Sequence, residues 1–331
     1  MTHKNLIKFI RKILRPIKLK LLYLNQILLI IPIRKINGYN SFMGQPVFDR
    51  GKGFVFWLTK NVFFSYLVRP KYAKDLNYAP SHSNYSSTGV CIQGPIGKNN
   101  KVFLENTILI YRKIFPNLKI VISTWKNEKN NISEVVHENS DEIILNEYPM
   151  DLESGIDNIN FQTFTTHNGL KKLEELGCKF SIKQRADCRF YNPNSLSVFH
   201  NFFQIFSKTN NTNTERIFSC NIGSLKYRPY CLGDILLFGK TEDLLKYFHK
   251  EDYFTGLKTL GLNKLENPIL NDVLITVENF LCSRYLKQHV GCNPNFTIED
   301  WFYCLKKYFL IFDFDQIDFI FRKKTPEFEK R

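Results

Sequence analysis

The sequence predicts a three-layer α/β fold with a largely parallel sheet, preceded by a basic segment of different composition. The first observation is that short apolar runs alternate with longer amphipathic runs between residues 90 and 184. The second is that turn residues, such as Gly94-Pro95 and Pro116-Asn117, separate these runs. The third is size, because 331 residues with a hydrophobic content of 44% are enough to bury a large core.

The first half of the predicted fold follows the order strand, helix, strand, strand, helix, strand, which favours parallel pairing. The predicted strands are the apolar runs at 90–94, 119–123, 142–145 and 179–184, and the predicted helices are the amphipathic runs at 101–115 and 158–176. The polar run 126–134 is predicted to be a loop. The pattern is weaker beyond residue 190, with a predicted strand at 216–222, an apolar run at 235–239, predicted helices at 241–250 and 270–288, and an aromatic segment at 301–322 that is expected to pack as core.

The N-terminal segment, residues 1–48, differs from the rest of the chain in charge. It holds nine Lys or Arg and no Asp or Glu, whereas the remainder has a net charge of only +6. Residues 4–15 have an amphipathic pattern, and the apolar run 21–33 is shorter than the about 20 residues that a bilayer span needs. We therefore expect residues 1–48 to associate with an anionic membrane surface, with a basic helix packed on the domain as the alternative. The aromatic-rich residues 49–88 are predicted to connect this segment to a domain that starts at residue 89.

Several functional classes lack their sequence signature. The eight cysteines include no C-x-x-C pair, and the seven scattered histidines predict no metal site. The dinucleotide, P-loop, nucleophile-elbow and zinc-protease motifs do not occur in the sequence. The net charge of +15 makes a nucleic-acid-binding protein an alternative, but most of the basic excess lies in the N-terminal segment rather than on the predicted domain.

The strand predicted at 179–184 leads directly into a charged sequence. Arg185-Ala186-Asp187 and Arg189 follow it, with no Gly or Pro between them. Ligand crevices of open α/β sheets lie at the carboxyl ends of such strands. A binding site and a plain ion pair of Asp187 with Arg185 or Arg189 both remain open at this point.

The helix predicted at 158–176 carries an uncharged polar stripe. Asn158, Gln162, Thr166 and Gly169 recur on one face, where a solvated helix would carry Lys and Glu. Asn158 and Asn160 also place side-chain amides at the helix N-terminus, where phosphate groups bind. The stripe therefore indicates contact with a polar ligand, and a capped surface helix is the alternative.

Five segments of the chain, taken together and in order, resemble the WavE lipopolysaccharide-biosynthesis family. They are CIQGPI (91–96), IFPNLKIVISTW (114–125), NINFQTFTTHNGLKK (158–172), KFSIKQRAD (179–187) and GDILLFGKTEDLLKYF (233–248). The resemblance implies a glycosyltransferase with a three-layer, GT-A-like and Rossmann-like sheet that binds a nucleotide-sugar. It also implies that residues 89–190 bind the donor and that residues 191–331 shape the acceptor side.

The resemblance further implies a donor site at the carboxyl edge of the sheet. Its expected residues are Gln93, Gly94, Pro95, Thr124, Trp125, Asn158, Asn160, Gln162, Thr166, Arg185, Asp187 and Arg189. Glycosyltransferases of this fold commonly carry a D-x-D motif, whereas Arg185-Ala186-Asp187 offers one carboxylate. Asp187 can hold Mg²⁺ or Mn²⁺ if donor phosphates and water supply the other ligands, or Arg185 or Arg189 can contact the phosphate directly.

An inverting transfer needs a general base, and three acidic residues follow the donor segments. Asp243 and Glu278 lie in predicted helices, where the helix dipole or solvent exposure accounts for them. Asp234 follows Gly233 and precedes an apolar run. We therefore predict that Asp234 is the catalytic base and that Glu278 is the second candidate, with a turn residue as the alternative for Asp234.

These expectations together describe a glycosyltransferase of bacterial surface-glycan assembly. The resemblance implies a nucleotide-sugar donor and, as acceptor, a glycan or lipid-linked glycan of lipopolysaccharide or capsule. The basic segment adds an anionic membrane partner, which places the protein in the cytoplasm, peripheral on the inner face of the bacterial inner membrane. No nucleic-acid partner is expected. The second alternative is an inactive membrane-associated scaffold of the same fold, which would tolerate substitution of Asp187.

Overall fold

A computed structural model of the protein describes residues 70–76, 80–81, 85–207, 215–255 and 276–322. The chain divides into two compact units, Met1–Pro70 and Lys71–Arg331, and nearly all described residues belong to the second unit. The predicted basic segment 1–48 and most of the connecting segment lie outside the described residues, so both remain predictions. Within the described part of the chain, no helix combines the length and the apolar character needed to cross a bilayer.

The second unit alternates strands and helices. The strands are β1 Thr88–Gln93, β2 Lys119–Trp125, β3 Glu142–Asn146, β4 Phe180–Arg185, β5 Cys188–Phe190, β6 Ile217–Cys220, β7 Leu236–Lys240, β8 Phe309–Phe312 and β9 Phe319–Phe321. The helices are α1 Gly97–Ile114, α2 Glu134–Asn139, α3 Ile159–Glu175, α4 Ser195–Phe206, α5 Thr241–Tyr247, α6 Val277–His289 and α7 Ile298–Tyr308.

The central sheet has seven strands in the order β3-β2-β1-β4-β7-β6-β8. Strands β1 to β4 pair in parallel, whereas β7 runs antiparallel to both β4 and β6. The chain winds outward from β1 to β3 and then returns to place β4 on the other side of β1, which creates a topological switch point. At that point Gln93, the last residue of β1, is in register with Arg185, the last residue of β4. The predicted three-layer, GT-A-like α/β fold is confirmed.

The strands are apolar on both faces because helices cover the sheet on both sides. Val90 and Ile92 of β1 belong to the core shared with α1 and α4, which contribute Leu104 and Phe199. Cys91, between them in the sequence, faces the second core, which α3, α5, α6 and α7 complete. This alternation along one strand is the period-two geometry of a buried strand.

The structure corrects the predicted secondary structure in several places. The run 126–134, predicted to be a loop, contains a 3₁₀ helix at Lys126–Asn131, and α2 begins at Glu134. These helices have only six residues each, too few to show a helical period in the sequence. The aromatic segment 301–322 packs in the core as predicted, and it contains most of α7 together with β8 and β9, elements that the sequence pattern did not separate. Strand β5 begins directly after Asp187 and contains Arg189, and it pairs with β9.

Candidate active site

A cleft of about 440 Å³ opens at the carboxyl ends of β1, β2 and β4. Such a volume suits a ligand of small-molecule or nucleotide size. Its lining residues come from the strand ends, the first turn of α1, the first half of α3 and the loops beside them: Gln93, Gly94, Pro95, Asn100, Trp125, Tyr148, Asp157, Asn158, Phe161, Gln162, Thr165, Arg185, Ala186 and Asp187. Eight of the twelve residues expected at the donor site line this cleft, namely Gln93, Gly94, Pro95, Trp125, Asn158, Gln162, Arg185 and Asp187.

The exit of β4 supplies a charged pair to the cleft. Arg185 Nε and Nη2 donate to the two carboxylate oxygens of Asp187, at 2.9 and 3.1 Å. Burial disfavours the charged form of Arg185, but the hydrogen bonds and charge of Asp187 outweigh this effect and raise the pKa of Arg185. A guanidinium has five N–H groups, so three remain for a ligand beyond the two that donate to Asp187. The pair therefore presents a fixed, partly exposed cation at the switch point of the sheet.

The exit of β1 brings backbone and amide groups to the same place. Gly94 has φ 107°, a conformation that favours glycine, and its N–H donates to the Ser123 carbonyl at 3.1 Å. Thr165 Oγ1 lies 3.2 Å from Gln93 Oε1, and its single hydroxyl proton is shared between this oxygen and the Phe161 carbonyl at 3.0 Å. The Gln93 carbonyl accepts from Ala186 N–H at 3.0 Å and so ties β1 to the start of the charged sequence.

One wall of the cleft is aromatic. The rings of Trp125 and Tyr148 stack with centroids 4.1 Å apart and an interplanar angle of 10°. Phe161 contacts both rings edge-on, at 5.4 and 5.5 Å. Trp125 is buried, whereas Tyr148 is 47% exposed and offers a flat apolar face. Such a face suits a nucleobase or a sugar ring.

The start of α3 is unusual in its backbone conformation. Gly155, Asp157 and Asn158 all have positive φ values, of 69°, 48° and 62°. Asp and Asn tolerate this region better than other residues with a side chain, but it still costs energy, and such strain is concentrated at functional sites. The strained turn carries exposed Asp157 and Asn158 side chains into the cleft lining. Asp157 was not predicted from the sequence, although the sequence Gly-Ile-Asp-Asn is a turn signal.

The rest of the polar stripe on α3 faces the sheet instead of the cleft. Thr166 is fully buried, and a Cβ at Gly169 would lie 2.3 Å from Cys91 Sγ. Small residues here let α3 lie close to β1 and β2, a packing reason that the stripe hypothesis did not include. Asn160 is also buried, and its side chain accepts from Phe254 N–H and donates to the carbonyls of Phe254 and Glu153. Asn160 therefore joins two loops and does not line the cleft.

Two further expected donor residues lie elsewhere. Thr124 precedes Trp125 on β2, so its side chain points to the opposite face and is buried. Arg189 lies on β5 and is 1% exposed, with its Nη2 donating to the Phe103 carbonyl at 2.8 Å. Its guanidinium also stacks on the Phe103 ring, at 3.8 Å from the centroid. Arg189 therefore packs against α1. It is not among the residues that line the cleft, where the expected phosphate contact would be made.

Asp234, the expected general base, lies behind Gln162 in a buried network. Gln162 Nε2 donates to its carboxylate, and Lys183 Nζ lies 3.3 Å from the same oxygen and donates to the Asp234 carbonyl. Burial opposes ionisation of Asp234, but the charge of Lys183 and the hydrogen bond from Gln162 prevail and lower its pKa. Because a carboxylate of lowered pKa is a weaker base, this position favours a role in holding Gln162 and does not favour proton abstraction.

Glu278, the second candidate for the base, lies in the first turn of α6 and is partly exposed. A Cβ added at Gly223 would lie 3.7 Å from its Oε1, which places the carboxylate beside the turn that follows β6. Glu278 is not among the residues that line the cleft. Two carboxylates do line it, Asp187 and the unpredicted Asp157.

Comparisons with known proteins agree with the resemblance described from the sequence. The family model for WavE lipopolysaccharide synthesis matches residues 88–299. No curated protein sequence matches the chain.

Three solved structures are similar in fold at low sequence identity. A glycosyltransferase involved in glycosylation of the major capsid of PBCV-1 has 9% identity and a TM-score of 0.35, and the match covers 72% of this chain and 94% of that one. The mannosyltransferase PcManGT from Pyrobaculum calidifontis, solved with GDP-Man and Mn²⁺, has 10% identity and a TM-score of 0.30, with coverage of 60% and 55%. The 4-diphosphocytidyl-2C-methyl-D-erythritol synthase from Anaerococcus prevotii has 9% identity and a TM-score of 0.38, with coverage of 71% and 93%.

Proposed function

The chain belongs to the WavE lipopolysaccharide synthesis family and is a glycosyltransferase, and from that premise we propose that it builds bacterial lipopolysaccharide or capsular glycan. A nucleotide-sugar would bind in the cleft, and a glycan or lipid-linked glycan would accept the sugar from the side formed by residues 191–331. The observation that carries this proposal is one cleft at the switch point that combines an aromatic wall with the Arg185–Asp187 pair.

The donor phosphates are assigned to the charged edge of the cleft. The remaining N–H groups of Arg185 can neutralise charge on the departing nucleotide, and Asn158 at the start of α3 lies in the same lining. Asp187 Oδ1 accepts from both Arg185 and Cys188 Sγ, whereas Oδ2 accepts from Arg185, so Oδ2 is the better placed of the two oxygens to bind a cation as well. This oxygen donor set fits Mg²⁺ or Mn²⁺ at Asp187, with phosphate and water as the other ligands. Such an ion would add positive charge at the leaving group.

A thermal-shift screen tests the proposed donor class. UDP, GDP, CMP and dTDP are each added to the protein with and without Mn²⁺, and the melting temperature is measured. A nucleotide that binds the folded state raises it by mass action, so we expect one nucleotide to give a clear increase that grows with Mn²⁺. If none of the four changes the melting temperature at millimolar concentration, the proposed function is wrong.

The aromatic wall gives a prediction about nucleotide affinity. Replacing Tyr148 with Ala removes its exposed ring, and stacking of a base on an aromatic ring is worth about 1–3 kcal/mol. We therefore expect Tyr148→Ala to weaken binding of the nucleotide found in the screen by about 5- to 150-fold. The measurement is calorimetric titration, with Tyr148→Phe, which keeps the ring, and Tyr303→Ala, an exposed tyrosine on α7, as controls. Equal affinity in Tyr148→Ala and Tyr303→Ala would show that the base does not stack here.

The free carboxylate of the cleft gives a prediction about proton transfer. The carboxylate of Asp187 is occupied by Arg185, whereas Asp157 is exposed in the lining, so we propose Asp157 as the base if transfer inverts configuration. Asp157→Asn should lower the transfer rate by about 100-fold or more, because Asn tolerates the same backbone conformation but cannot accept the proton. Nucleotide affinity should not change. If Asp157→Asn transfers normally and Glu278→Gln does not, the base is Glu278.

The basic segment gives a prediction about location. We propose that residues 1–48 hold the enzyme on the cytoplasmic face of the inner membrane, because each Lys or Arg near an anionic surface contributes about 1 kcal/mol. In a sedimentation assay at low salt, the full-length protein should bind anionic liposomes and release them as salt increases. Protein lacking residues 1–39 should not bind but should still transfer sugar to a soluble acceptor. Full-length protein that stays in the supernatant at low salt would contradict this.

A further inference from the structure

A group of three side chains of metal-ligating type lies outside the cleft lining. His249 and Asp252 follow α5, and His289 is the last residue of α6. Asp252 Oδ2 lies 3.0 Å from His289 Nε2 and 3.4 Å from His249 Nδ1. All three ligand atoms lie within 4.8 Å of one another. The sequence showed only scattered histidines, and it is the packing of α5 against α6 that brings these residues together.

The separations agree with those around a tetrahedral metal ion. Zinc binds imidazole nitrogen at about 2.0–2.1 Å and carboxylate oxygen at about 2.0–2.2 Å. Two such bonds at a tetrahedral angle place the two ligand atoms roughly 3.3–3.5 Å apart. The two measured separations from Asp252 Oδ2 are close to this value, so an ion needs only small side-chain movements to bind all three residues.

Hydrogen bonding between the side chains does not account for the whole cluster. His289 Nε2 and Asp252 Oδ2 form a normal hydrogen bond at 3.0 Å. His249 Nδ1 is buried, yet it has no hydrogen-bond partner among the described residues, because its 3.4 Å approach to Asp252 has poor geometry. A buried polar atom without a partner destabilises the fold, and coordination of a metal ion would satisfy it.

The backbone that carries two of the ligands is held in place. Arg284 of α6 is buried and donates to the carbonyls of Asp252 and Tyr247, both at 2.5 Å. The Asp252 N–H also donates to the His249 carbonyl at 3.3 Å. His167 of α3 packs edge-on against the His249 ring, with centroids 6.1 Å apart. These contacts fix the loop after α5 relative to α6, so that little ordering is needed when an ion binds.

We propose that His249, Asp252 and His289 bind a divalent transition-metal ion of the zinc class, which joins the end of α5 to the end of α6. Two imidazoles and one carboxylate form a ligand set that zinc commonly uses, and water or another ligand would occupy the fourth position. This ion differs from the one assigned to Asp187, because nitrogen ligands favour Zn²⁺ whereas oxygen ligands alone favour Mg²⁺ or Mn²⁺. The site rests on its own geometry and does not depend on the donor proposal.

Metal titration of the untagged, full-length protein tests this site. Chelator-treated protein is titrated with Co²⁺, whose visible spectrum reports the ligand geometry, and the Co²⁺ is then displaced with Zn²⁺. We expect one equivalent with a tetrahedral spectrum, and a rise in melting temperature when Zn²⁺ binds. His249→Ala and His289→Ala should each weaken Zn²⁺ binding at least about tenfold. The control is His137→Ala, which replaces an exposed histidine on α2 and should bind Zn²⁺ like wild type.

Several outcomes would overturn the proposal. One is that the wild-type protein does not bind one equivalent of Zn²⁺. Another is that the affinity for Zn²⁺ is unchanged in both histidine variants. A thiolate charge-transfer band would instead place the ion at Cys292 and Cys304, whose sulfurs lie 3.5 Å apart. If an Ala variant does not fold by circular dichroism, His249→Gln and His289→Gln replace it. These variants keep a polar side chain of similar length but lose the coordinating imidazole.

Discussion

The Asp187→Asn variant is expected to keep its fold and to lose sugar transfer by about 100- to 1,000-fold, the scale seen when one group that stabilises developing charge is removed. Asn has the same shape as Asp, and its amide oxygen can still accept from Arg185, so the packing at the exit of β4 should survive. The negative charge that would hold the divalent ion on the donor phosphates is lost. The measurement is transfer rate at saturating donor, with circular dichroism to verify the fold.

Two matched variants make the result specific. Asp151→Asn changes an exposed aspartate outside the cleft lining and should transfer like wild type. Arg185→Lys keeps a positive charge but loses the paired hydrogen bonds, so it should weaken nucleotide binding even without Mn²⁺. Asp187→Asn should instead lose the additional stabilisation that Mn²⁺ gives to the nucleotide complex. A folded Asp187→Asn protein that transfers at the wild-type rate would show that Asp187 does not serve the donor phosphate.

The sequence was most informative about site residues that lie at the ends of strands. The ends of β1 and β4 are visible as apolar runs that stop at Gln93-Gly94 and at Arg185, and the parallel order of the strands brings those ends together. The strand boundaries and the sheet topology are therefore enough to predict that Gln93, Trp125 and Asp187 share one cleft, and all three residues line it.

The sequence was less informative about residues whose side-chain direction depends on their exact position in a strand or helix. Arg189 lies four residues after the last residue of β4, and its position depends on the short strand β5, which pairs with the distant β9. Thr166 and Gly169 formed a convincing polar stripe because small residues serve close helix–sheet packing as well as ligand contact. Asp157 and Tyr148 lie in irregular segments, where no periodicity indicates which side chains reach the cleft.

The buried network around Asp234 is expected to affect the stability of the fold more than sugar transfer. Lys183 is fully buried in the middle of β4, and Asp234 is the carboxylate that neutralises it. Removing one partner of such a pair leaves an uncompensated charge and typically costs about 3–5 kcal/mol. We therefore expect Asp234→Asn to lower the free energy of unfolding by about this amount, measured by urea denaturation at pH 7.

Asp243 provides the matched control for this variant. It is equally buried, at 5% exposure, but burial outweighs the charge of Lys246 and raises its pKa. The folded state therefore disfavours ionised Asp243, and Asp243→Asn should be close to neutral or slightly stabilising. If the two variants lose the same stability, the loss at Asp234 reflects packing rather than the ion pair with Lys183.

The pH dependence of stability in wild type and in Asp234→Asn separates the effect of charge at Asp234 from the effect of side-chain shape. Its pKa is lower in the folded state than in the unfolded chain, so the folded state binds the proton less readily. The carboxylate therefore contributes stability above the unfolded pKa of about 3.9, and this contribution is lost as pH falls through the lower folded pKa. Protonated Asp234 resembles Asn, so the stability difference between wild type and Asp234→Asn should be constant from pH 7 to about pH 5 and should shrink below about pH 4. A difference that stays unchanged at pH 3 would mean that the folded and unfolded states bind the Asp234 proton equally well, so that folding does not lower its pKa.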